Sequence, residues 1–63
     1  MTPREVRQLD LLIAVANAAT DYQAAHAHAV MQIRDVDAHA RYVTTSELLA
    51  RALEALATHA TQA

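Results

Sequence analysis

From Arg4 to its last residue the chain contains neither glycine nor proline. Two-residue β-hairpins and left-handed turns draw on glycine, and abrupt helix stops draw on glycine or proline, so a chain without them is restricted to long helices joined by few turns. Its one proline, Pro3, stands where a helix tolerates it best. In Thr2-Pro3-Arg4-Glu5 the threonine takes the N-cap position, proline N1 and glutamate N3, with Met1 and Val6 placed as a hydrophobic staple. The same grammar recurs in "VTTSEL", where Val43, Thr44, Glu47 and Leu48 take the equivalent positions and predict a second helix starting near Thr45.

Between those starts the apolar spacing can be followed residue by residue. Alternating steps of three and four from Leu12 give Leu12, Val15, Ala19, Tyr22, His26, Ala29, Ile33, Val36, Ala40 and Val43, broken only by His26. The spacing predicts one long helix over about 3–41 and a short one over about 45–61. The expected fold is therefore an all-α helical hairpin in one small domain. "NAATDYQ" offers a weaker cap at Thr20 with Gln23, and a break near 18–21 would instead give a monomeric three-helix bundle. Ala18 and Ala19 are strong helix formers, and no residues are left over for a loop, which favours the unbroken helix.

A helix of about 39 residues is nearly 60 Å long and one of about 17 is roughly 25 Å. The short helix cannot cover the long one. Val6, Leu9, Leu12, Ile13, Val15, Ala19 and Tyr22 would be left without cover, and an apolar stripe of that length implies a partner, either a second copy or a larger protein. Leu9, Leu12, Ile13, Val15, Tyr22, His26, Ile33 and Val36 are the predicted interface, with Tyr22 as its anchor. The composition points the same way. Sixteen of the 63 residues are alanine, there is no Phe, Trp or Cys, and a chain this short has few large side chains from which to build a core of its own.

Four histidines are the remaining candidates for chemistry. On a helix His26 and His28 point some 200° apart and cannot share an ion, while His28 and His39 would lie about 16 Å apart along the axis. Asp35 with His39, at i and i+4, supplies only two ligands, so no metal or other cofactor is expected. His26 lies near the midpoint of the apolar seam. If two copies paired antiparallel through that seam, their His26 rings would meet, and protonation would oppose association.

No Cys, a single Ser within the "VTTSEL" start, and no glycine-rich loop leave little from which to build an enzyme. The net charge of −2, with five arginines and no lysine, is unlike a nucleic-acid-binding surface. "RYVTTSELLARAL" resembles the second helix of helix-turn-helix and ribbon-helix-helix regulators, and that resemblance implies a dimeric DNA-binding regulator or an antitoxin. Against it, "TPREVRQLDLL" is a capped helix where a ribbon-helix-helix needs a strand, and Arg51 is the only arginine in 45–61. "LLIAVANAA" faintly copies a signal peptide, but Asp10 interrupts its start, and no apolar run reaches membrane-spanning length. The sequence is expected to encode a soluble, cytoplasmic, non-catalytic interaction module. A stoichiometric inhibitor or adaptor of the phage or mobile-element type is the specific form expected, acting as a dimer or on a larger protein.

Overall fold

The computed structural model describes residues 1–62 and is a hairpin of two helices, α1 over Pro3–Met31 and α2 over Val36–Thr61. The first predicted capping box is present. Thr2 Oγ1 accepts from the Glu5 amide at 3.2 Å and the Glu5 carboxylate accepts from the Thr2 amide at 3.3 Å, closing both halves of the capping box. The chain then runs helical for 29 residues. There is no break near 18–21: the Thr20 hydroxyl donates to the Ala16 carbonyl at 2.9 Å, as a hydroxyl does inside a continuing helix.

The turn lies about ten residues earlier than the sequence suggests, so the long and short helices of about 3–41 and 45–61 are replaced by two of nearly equal length. Asp35 is the reason. With extended backbone at φ −87° and ψ 107°, its carboxylate accepts from the amides of Asp37 at 3.0 Å and Ala38 at 3.2 Å, which makes it the N-cap of α2. Two further bonds shape the turn. The Gln32 amide continues to the His28 carbonyl at 2.8 Å, and the His39 ring Nε2–H donates to the Ile33 carbonyl at 2.8 Å. The hydroxyls of "TTS" meanwhile bond backward within α2: Thr44 to Ala40, Thr45 to Tyr42 and Ser46 to Val43. They satisfy carbonyls of a helix already under way and cap nothing.

The two nearly equal helices run side by side, and on α1 the seam between them begins at Leu11. The residues facing across are Leu11, Val15, Ala18, Tyr22, Ala25 and Ala29 on α1, and Ala38, Tyr42, Thr45, Leu49, Ala52, Leu56 and His59 on α2, all buried or half-buried. Both sets step by four and three, the period of antiparallel helices meeting through a narrow seam. Six of these thirteen positions are alanine or threonine, so the backbones can approach closely. The result is a rod of 48 × 18 × 12 Å. Its thickness is that of one helix with its side chains, a single layer. Among the described residues, neither helix is long and apolar enough to cross a membrane.

Candidate interaction face

The predicted interface residues separate into three groups. Val15 and Tyr22 are half-buried in the seam between α1 and α2, so the hairpin's own packing already uses them. Leu9, Leu12 and Ile13 are 47 %, 45 % and 50 % exposed on the first half of α1. Ile33 and Val36, at the turn, are 76 % and 78 % exposed. The single stripe read through Leu12, His26, Ile33 and Val43 is therefore interrupted by the turn, and its members fall on different elements.

Stepping 100° per residue shows what the outer surface offers. On one broad side of the hairpin α1 presents Leu12, Ala16, Ala19, Gln23, His26 and Val30, and α2 presents His39, Val43, Ser46, Ala50 and Leu53. Between Gln8 and Ala57 no Asp, Glu or Arg belongs to this side. Around the outer edge of α1 the surface continues uncharged through Leu9 and Ile13. The other broad side carries Arg7, Asp10 and Asp21 on α1, with Asp37 and Arg41 on α2. Val30, Val43 and Leu53, absent from the predicted interface, join Leu12 as half-exposed apolar groups on the uncharged side. They could be found only after the turn had been placed, because the turn decides which flank of α2 lies beside Leu12.

At the turn end, the uncharged side is built around aromatic rings. Tyr22 and Tyr42 share a hydrogen bond between their hydroxyls at 3.0 Å, with ring centroids 5.3 Å apart. His26 stacks beside Tyr22, nearly coplanar in orientation at 6.3 Å, and tilts toward Tyr42 at 5.1 Å. His26 is thus an exposed ring leaning on two tyrosines, beside the seam rather than within it. With Val30, Ile33 and His39 it borders a shallow concavity of about 220 Å³. A larger hollow of about 440 Å³ lies at the open end, where Arg7 and Arg51 share the walls with Glu54, Thr58 and His59. Charges of both signs line it, as on an ordinary solvated surface. Among the described residues no three His, Asp or Glu side chains converge as a metal site would require.

No family model matches this chain, and no curated protein or solved structure is similar to it.

The tyrosine pair allows a direct check of the seam. The hydrogen bond to Tyr22 raises the Tyr42 pKa above its ordinary value near 10, with burial and the neighbouring Tyr22 charge acting in the same direction. A raised pKa in the folded state means that stability from this group is complete below the unfolded value and is lost as pH rises through the folded one. An alkaline titration followed at 295 nm should place Tyr42 ionisation above that of free tyrosine. In Tyr22→Phe it should fall back toward it, because phenylalanine has no hydroxyl to share. If Tyr42 titrates identically with and without the Tyr22 hydroxyl, the two rings do not meet as described.

Proposed function

We propose that the chain is a non-catalytic protein–protein interaction module that works through the uncharged side of its hairpin. What supports this most is that the hairpin is one layer thick. Stable domains pack at least two layers of secondary structure around a shared core. Here the buried residues are Leu11, Ala25, Ala29, Ala38 and Thr45, and none of the large side chains is completely enclosed among the described residues. The accessible surface is 4855 Å² for a 6.9 kDa chain. A compact monomer of that mass exposes about 4,000 Å². The excess is what a second layer would cover, and the side without charges can be desolvated at least cost.

The partner supplies that second layer. A stoichiometric inhibitor or an adaptor docking on a larger protein is one form of this reading, since either needs a complementary surface and no chemistry of its own. A dimeric DNA-binding regulator has less behind it. Arg4, Arg7, Arg34, Arg41 and Arg51 are spread over both helices and the turn, interleaved with acidic residues, where phosphate contact needs a continuous basic stripe.

The test is native size analysis of the chain, carrying a short epitope tag, in extracts of its own cells. The wild type should elute well above 6.9 kDa. A Leu12→Asp, Leu53→Asp double variant, charged on the uncharged side, should elute as the free chain. A wild-type chain eluting free, or a double variant that keeps the same complex, would remove the reading.

A further inference from the structure

We propose that the uncharged side is covered by a second copy of this chain, giving a four-helix bundle in which two hairpins pack face to face and end for end. This rests on the reading above, that this side serves association, and adds the identity of the occupant.

The areas agree. The broad side measures 48 by 18 Å, about 860 Å² in projection. A standard specific interface covers about 800 Å² on each partner. Removing that much from the 4855 Å² of the hairpin returns each chain to about the surface of a compact protein of its mass. Two layers of antiparallel helices around one core make a common bundle architecture.

A two-fold contact also demands that the surface complement itself. Consider an axis lying between the two layers and perpendicular to the helices. It sets α1 antiparallel on α1 and α2 antiparallel on α2. With the axis at mid-length, near residues 17 and 48, Ala16 falls on Ala19 of the other copy and Ser46 on Ala50. The middle of the face is thus small against small, which lets the layers approach closely. Outside this waist Leu53 meets Val43 of the other copy and Leu12 meets Gln23. His39 falls opposite Ala57. The loops-together alternative would instead set His26 against His39 of the other copy, twice over, gathering at one end the four imidazoles that the end-for-end packing divides between two. The charged broad side is costlier to cover, because a contact there would desolvate Asp10, Asp21 and Asp37 together with Arg7 and Arg41.

The purified full chain, measured by light scattering over a concentration series, should have twice the 6.9 kDa monomer mass, 13.8 kDa. Ala50→Glu places a carboxylate on the waist and should weaken the dimer at least ~100-fold. Ala14→Glu, an exposed position on the charged side, should leave it unchanged. The arrangement is read separately by a chain carrying Val43→Cys and Leu53→Cys. Those positions are about 15 Å apart along one helix and cannot join within a copy. Oxidation should therefore yield covalent dimers.

A purified chain that stays at 6.9 kDa up to millimolar concentration overturns the proposal, and so does a dimer indifferent to Ala50→Glu. A dimer that gives no covalent product under oxidation overturns the end-for-end packing. If the purified chain is monomeric while the cellular complex persists and is lost in the Leu12→Asp, Leu53→Asp variant, the occupant is a different protein. The interaction-module reading then stands without this one.

Discussion

Replacing Thr45 by proline should unfold the hairpin, whereas the same replacement at Val36 should leave it folded. Thr45 lies in the interior of α2, buried against α1, with its hydroxyl donating to the Tyr42 carbonyl at 2.9 Å. Proline there removes one amide from the helix ladder and drives its ring into the carbonyl of Arg41, at a cost of about 3 kcal/mol or more. A chain of 63 residues is held by only about 3–9 kcal/mol in total. Val36 is the first residue of α2, where the amide has no partner within the helix and proline's fixed φ is already suitable. The residue before it, Asp35, is already extended, as proline requires of its predecessor. Val36→Pro should therefore change stability by about 0.5 kcal/mol or less. Thermal and urea unfolding followed by helical circular dichroism would show both effects. The reverse result, with Thr45→Pro tolerated and Val36→Pro disruptive, would move the turn to residues 42–44.

That pair of positions is also where sequence and structure part. At Thr2 the capping grammar reads correctly: the backbone is extended at φ −79° and ψ 158°, and the hydroxyl oxygen accepts from the Glu5 amide ahead of it. At Thr44 the same grammar misleads. A serine or threonine hydroxyl satisfies the carbonyl three or four residues back as readily as the amide ahead, and when α2 is already running the first choice wins. Asp35 cannot donate in this way. As a carboxylate it only accepts, so it favours the free amides at a helix start and the positive end of the helix dipole. Its meaning was legible in "RDVDAHA", but the expected helix passed over it because Ile33 and Val36 extended an apolar spacing that fitted without interruption.

Alanine accounts for the misplaced seam. Leu12, Ala19, His26 and Ala29 satisfy an alternating spacing of three and four nearly as well as Leu11, Ala18, Ala25 and Ala29 do, since alanine suits either a buried or an exposed position. Two overlapping frames therefore coexist on α1, and nothing local separates them. The frame is chosen by the facing helix, whose Tyr42, Leu49 and Leu56 come opposite the second set once Asp35 fixes the turn. The helical class and the first cap need only local information, and the sequence carries it; the exposure of Leu9, Leu12 and Ile13 is expected there from a mismatch of helix lengths that two nearly equal helices do not have. The inward role of Tyr22 and the shared uncharged side of α1 and α2 depend on the register between helices, which the sequence does not state in any one stretch.

If the seam runs as described, its small residues are what hold the helices close, and enlarging them should be costly. Ala25 and Ala29 are 2 % and 3 % exposed, the most enclosed of the core residues named above. Leucine at either position adds three carbon atoms where almost no exposed surface remains. Helix propensity is hardly altered, because leucine ranks close to alanine. The loss is then almost wholly steric, about 1–3 kcal/mol for each substitution. In a domain of this length each kcal/mol lowers Tm by about 4–8 °C. The two sites are four residues apart on one face and share the helix they displace, so Ala25→Leu with Ala29→Leu should not be additive. Once the first leucine has separated the helices, the second meets less resistance. Ala24→Leu is the control, exposed on the same turn of α1, and should change stability by about 0.5 kcal/mol or less. The frame through Leu12 and His26 shares Ala29, so Ala25 is the position that discriminates. That frame leaves Ala25 outside the seam, and Ala25→Leu would then behave like Ala24→Leu. A large loss at Ala25 with none at Ala24 fixes the face that α1 turns toward α2, and with it which residues remain free to meet a partner.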